Sequence, residues 1–204
     1  NMQTWLILNW LEISRATIET RYQKGNGLKA ASEIAEMANN RTLSAQGIKD
    51  CLNEYGIAYL YVEKLDKTPV DAYSTLVDGS PVITVTYRYN DMDKLAFDVL
   101  HELCHIERLL SEDNQAFIST EETFYSKDPR EKEANAFARQ QLIPDDVWNK
   151  IIGAGCKSLS PHKIVSIIAK EAKRHGISPS IAVSRYKHDT NWYQTSAYKS
   201  PKIN

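Results

Sequence analysis

The chain has 204 residues, of which 42% are hydrophobic and 25% charged, with a formal net charge of −1. This composition suits one globular core with appendages and excludes disorder as the dominant state. The near-zero charge excludes a general nucleic-acid binder. Three scattered cysteines (Cys51, Cys104, Cys156) form neither a disulfide framework nor a cysteine zinc module.

The early apolar stretch from Met2 to Ile13 is broken by Gln3, Asn9 and Glu12. It is too short and too interrupted for a membrane span, and it lacks the basic start of a signal peptide. Asn1 ahead of Met2 reads as an added residue or as the start of a fragment. Trp5 to Tyr22 predicts a helix. Leu28 to Met37 predicts a second, with Leu28, Ala31, Ile34 and Ala35 on one side. Ser44 is placed to cap a third helix that runs through Tyr55 and stops at Gly56. These three read as packing helices, since no basic recognition helix accompanies them.

Ile57 to Val62 and Pro81 to Tyr89 are rich in β-formers, and Asp78-Gly79 is a turn signal. They predict a small, antiparallel sheet. Asp91 or Asp93 can cap a helix reaching about Leu110. The polar stretch from Ser111 to Asp128 predicts a loop, placed to serve as a lid. Pro129 opens a helix ending before Pro144, Ser160-Pro161 opens one to Arg174, and Ser178-Pro179 opens one to about Lys187. The remainder from Asp189 predicts a loose tail. The fold class is therefore α+β. We divide it into a helical segment at 1–56, a core at 57–146, a helical segment at 147–188 and a tail at 189–204.

Charge is uneven. Residues 91–146 hold 14 acids against 6 bases, and residues 150–204 hold 10 bases against 2 acids. The basic end admits a DNA or acidic partner, but no aromatic or Gly-rich phosphate motif accompanies it, so solvated helix faces are the favoured reading.

The chemistry concentrates in His101-Glu102-Leu103-Cys104-His105, an HExxH pattern within a predicted helix. Composition alone would produce such a pattern in about 1% of chains of this length. Residues four apart share a helix face, so His101 and His105 can offer two imidazole nitrogens to one Zn²⁺. Glu102, beside the first ligand, can take a proton from the zinc-activated water. The third ligand falls on the helix after Pro129. Glu131 lies three residues before Ala134, on the side of its apolar stripe Ala134, Phe137, Ala138 and Leu142, whereas Glu133 is turned about 100° away. Glu131 is preferred, and Asn135, one turn further on, can orient a ligating histidine. A carbonyl-stabilising residue is not readable. Tyr125 and His162 are candidates with ordinary structural explanations, as are Tyr87 and Tyr89 for lining a cleft.

HELCH followed by E-K-E-A-N-A-F-A-R-Q-Q-L-I-P resembles the ImmA/IrrE metallopeptidase family over about Leu95 to Pro144. The resemblance implies a zincin-like core, a cytosolic zinc peptidase of gluzincin type, and Glu131 as the zinc glutamate. It also implies a protein substrate, a DNA-binding repressor of a mobile element, phage or stress response. Many members carry a helix-turn-helix in the same chain. None is evident here, so a separate repressor is the expected substrate. The alternative is a non-proteolytic regulatory module that keeps the zinc core and acts through partner or DNA binding. Cys104 stands where the family commonly has glycine. It projects about 100° away from His105, which favours packing over a ligand or redox role.

Overall fold

The computed structural model describes residues 1–17, 20–110, 116–120, 122, 125–153 and 160–203. Three helices come first: α1 (Met2–Arg15), α2 (Asn26–Asn39) and α3 (Ala45–Glu54). The strands β1 (Ala58–Tyr61), β2 (Val70–Val77) and β3 (Ser80–Val85) follow. Next come α4 (Met92–Cys104), a π-helical turn (His105–Leu109) and β4 (Ala116–Thr120). The chain closes on α5 (Pro129–Leu142), α6 (Asp145–Gly153), α7 (Pro161–Arg174) and α8 (Pro179–Thr190). This is the expected α+β architecture. None of the described helices is long and apolar enough to cross a membrane.

The sheet has strand order β1-β3-β2-β4. Asp78 and Gly79 both adopt positive φ, 50° and 78°, which joins β2 to β3 as a tight hairpin of the kind matched to strand twist. β4 pairs antiparallel with the other edge of β2. The sheet is nevertheless mixed rather than antiparallel throughout, because β3 folds back between β2 and β1 and so runs parallel to β1. Two strands differ from the sequence expectation. β2 was not foreseen, and β4 occupies part of the stretch expected to be loop. Of the rest of the stretch expected to serve as a lid, 111–115, 121, 123 and 124 lie outside the described residues.

Each sheet face buries a different partner. On one face, Trp5 and Ile13 of α1 pack with Ala58, Val62, Val70, Tyr73 and Val82. α1 stops at Arg15, well short of Tyr22, where Ala16 turns extended. On the other face, Ala72, Ile83 and Val85 join the main core with α4. α4 is buried on nearly every side (Leu95, Ala96, Val99, Leu100, Leu103), as a central helix must be. Ala30, Ala31, Ile34 and Ala35 of α2 pack in the same core, and the three alanines permit close approach.

Several other helix ends follow the sequence signals. Ser44 Oγ accepts from Gly47 N at 3.0 Å, and Asp91 Oδ1 accepts from Lys94 N at 2.9 Å. Gly56, at φ 76°, ends the turn after α3, and a Cβ there would lie 2.5 Å from Tyr22 N. The N-terminus of α2 is capped from afar. Glu107, buried in the π-helical turn, accepts from Tyr22 Oη at 2.7 Å, Gly25 N at 3.0 Å and Gly27 N at 2.6 Å. The tail expected to be loose is pinned near its end. Met92 N donates to Pro201 O at 2.9 Å, Asp93 N to Ser200 Oγ at 2.8 Å, and Ile203 N to Asn90 Oδ1 at 2.9 Å. The first-turn N–H groups of α4 lack intrahelical acceptors, and the tail supplies two.

Candidate metal centre

α4 and α5 pack side by side beneath the sheet and bring three buried side chains together. His101 and His105 lie one turn apart on α4 and its π-helical extension, with ring centroids 4.6 Å apart. Glu131 sits in the first turn of α5. Its Oε2 lies 3.3 Å from His101 Nε2 and its Oε1 lies 3.5 Å from His105 Nε2. One ligand atom from each of the three falls within 4.8 Å of the others, a grouping that could hold a metal ion. Glu133 points elsewhere, to Arg108 at 3.0 Å on the surface. Cys104 is buried outside the cluster, its thiol pushed up to about 12 chiefly by burial. Cys156 lies outside the described residues.

The donor set fits a cation. Asn135 Oδ1 lies 3.0 Å from His101 Nδ1. A carbonyl oxygen only accepts, so His101 carries a proton on Nδ1 and turns Nε2 towards the cluster. His101 Nε2 lies 2.9 Å from His105 Nε2. Burial draws His105 down to about 3, and His101 and Arg130 add to the effect, so its ring is neutral. Burial also lowers His101, but the contact with Glu131 and the charges of Glu102, Glu131 and Asp98 outweigh it, and the net shift is upward. Among the described residues, Glu131 Oε2 and His105 Nδ1 are buried with no hydrogen-bond partner. The unpartnered carboxylate oxygen of Glu131 is buried among the two Nε2 atoms, an anionic oxygen and two imidazole nitrogens gathered at one point, which is the donor pattern a metal ion resolves.

Glu102 lies fully buried between α4 and the sheet. Ser74 Oγ of β2 donates to its Oε2 at 2.5 Å, and Ser119 Oγ of β4 donates to its Oε1 at 2.5 Å. Burial lifts its carboxyl to about 7, against the pull of His101 and the two serines, while Glu131 adds to the rise. Phe117, two residues before Ser119 on the same strand, stacks on His105 with centroids 3.9 Å apart and planes 6° apart. Arg130 covers the ring of Phe117, with its Cζ 5.4 Å from the centroid. Neither serine nor Phe117 was singled out from the sequence. Serine carries no periodic signal, and both contacts depend on a strand pairing that the sequence did not reveal.

A cavity of about 310 Å³ opens beside His101, walled by Phe97, Thr120, Arg139, Leu142 and Ile181. Tyr125 and His188 also line it, stacked with centroids 6.0 Å apart, and so does Tyr89. Tyr87 instead stacks on Tyr61. His162 is not among the lining residues and meets Trp192 edge-on at 5.1 Å.

A helix bearing His-Glu-x-x-His beneath a small mixed sheet, with a glutamate from the next helix closing on both histidines, is the arrangement of a zincin-like metallopeptidase domain. The family model for peptidase M78, described as the IrrE N-terminal-like domain, matches residues 53–187, and the chain belongs to that metallopeptidase family. No curated protein matches the chain.

Proposed function

We propose that the protein is a zinc-dependent endopeptidase of gluzincin type. In this reading it cuts a peptide bond in a specific intracellular protein, and a DNA-binding repressor is the substrate that the family resemblance favours. The observation that carries the reading is the convergence of His101, His105 and Glu131 within 4.8 Å, with Glu102 adjacent in the chain to the first of them.

His101, His105 and Glu131 would hold Zn²⁺, a donor set typical of catalytic sites with an open position. Zinc, when bound, supplies Lewis-acid polarisation and lowers the pKa of water to ~7. Glu102 accepts the proton of the attacking water on its carboxylate and returns it to the departing amide nitrogen. Asn135 holds the His101 ring so that Nε2 faces the cluster. The cavity beside His101 receives a side chain of the substrate next to the bond to be cut.

The test compares new protein N-termini in cells producing wild type or Glu102→Gln. One or a few new termini restricted to wild type, above all within a repressor, would establish site-specific proteolysis and name its target. Identical termini from two folded, zinc-loaded proteins would overturn the proteolytic reading and favour a regulatory module.

A further inference from the structure

The face of the sheet turned to α4 is built from Ala72 and Ser74 of β2, Ile83 and Val85 of β3, and Phe117 and Ser119 of β4. Strand pairing sets Ala72 opposite Ser119 and Ser74 opposite Phe117, so the two serines lie diagonally across the β2–β4 ladder. In a surface otherwise given to apolar packing, both hydroxyls meet one carboxylate, one on each oxygen.

We propose that Ser74 and Ser119 are positioning residues for Glu102, fixing the carboxylate so that its remaining acceptor sites face the scissile position. The proposal rests on the proteolytic reading above. A carboxylate offers about four lone-pair sites. Each serine occupies one on a separate oxygen, so each oxygen keeps another for the proton to be transferred. Two anchors on two oxygens remove the freedom of the terminal torsion, which is otherwise broad for glutamate. A base held at one orientation loses less on reaching the transition state than a freely rotating one. The anchors come from the strands rather than from α4, so the carboxylate is located relative to β4, the edge strand that also carries Phe117 against His105.

The experiment uses the full chain, zinc-loaded, acting on a peptide library made by digesting a denatured proteome. Ser119→Ala and Ser74→Ala should each lower kcat about 10- to 100-fold, the usual scale for outer partners of a site. KM should stay within about twofold and zinc stoichiometry unchanged, and Ser119→Thr, which restores the hydroxyl, should recover most of the rate. A second reading needs no activity. In metal-free protein, Ser119→Ala should lower the melting temperature in the wild-type background and have no such effect in Glu102→Ala. Alanine variants with wild-type kcat overturn the proposal. So does a loss of kcat that tracks lost zinc or that Ser119→Thr leaves unrepaired, since either marks a merely structural contact. If the wild type leaves the library uncut, the proteolytic reading fails by itself. The melting comparison then judges the contact, and an equal loss in both backgrounds overturns it.

Discussion

Asn135 and His101 form a bond that decides which face of an imidazole the cluster sees. The amide oxygen takes the Nδ1 proton at 3.0 Å, so Nε2 is left to point at Glu131 and His105. Asn135→Ala should therefore keep the fold and weaken zinc binding about 10- to 100-fold. Titration against a competing chelator measures it. Unchanged affinity would mean that packing alone orients the ring.

The two glutamates at the start of α5 should separate cleanly. Glu131→Gln removes the anionic donor and should abolish stoichiometric zinc binding at micromolar protein. Glu133 is paired with Arg108 on the surface, where such bridges contribute ~0–1 kcal/mol. Glu133→Gln should retain zinc and leave stability nearly unchanged. Metal analysis of the two purified variants checks both, and zinc retained by Glu131→Gln would remove that residue from the ligand set.

Glu102 should leave a pH signature in the metal-free protein. Burial, the largest influence, lifts it from an ordinary 4.5 to about 7. A carboxyl with a raised folded value binds its proton more tightly folded than unfolded. Its contribution to stability is complete below about 4.5 and is lost as pH climbs towards 7. Glu102→Gln cannot ionise, so its melting temperature relative to wild type should rise from pH 5 to pH 8. A difference that stays constant across that range would contradict the buried, raised carboxyl.

Glu107 should matter for stability. It accepts from Tyr22, Gly25 and Gly27 while buried, and it places its charge at the positive end of α2. Glu107→Ala strands those donors and should cost about 2–4 kcal/mol, measured by denaturant unfolding. Gly27→Ala attacks the same contact from the other side, since its Cβ would lie 2.7 Å from Glu107 Cγ. It should cost about 1–3 kcal/mol.

What could be read from the sequence follows the range of the forces involved. His101, Glu102 and His105 share one stretch of helix, so spacing alone places the two histidines on one face. The preference for Glu131 over Glu133, and the placing of Asn135 one turn on to orient a ligating histidine, needed only the period of α5; that the histidine is His101 comes from the packing of α5 on α4. Helix starts at Ser44, Asp91, Pro129, Pro161 and Pro179 were legible because caps and prolines act within one turn. β2 escaped because it is buried on both faces, with Asp71, Ser74 and Thr75 all inside, so the alternation that marks a half-exposed strand is missing. The parallel pairing of β1 with β3, and the two serines that reach Glu102 from strands 28 and 17 residues away, depend on tertiary assembly. No local pattern records it.

The capping of α2 by Glu107 also bears on where this protein can be cut. Similarity to the family starts at residue 53, yet the three donors that hold Glu107 all lie between residues 22 and 27. A polypeptide trimmed to the matched stretch would leave a naked anion two residues downstream of the second histidine. The segment from Tyr22 to Gly27 thus braces the turn that follows the second histidine, and any shortened form of this protein needs another source of N–H and hydroxyl donors for that one carboxylate.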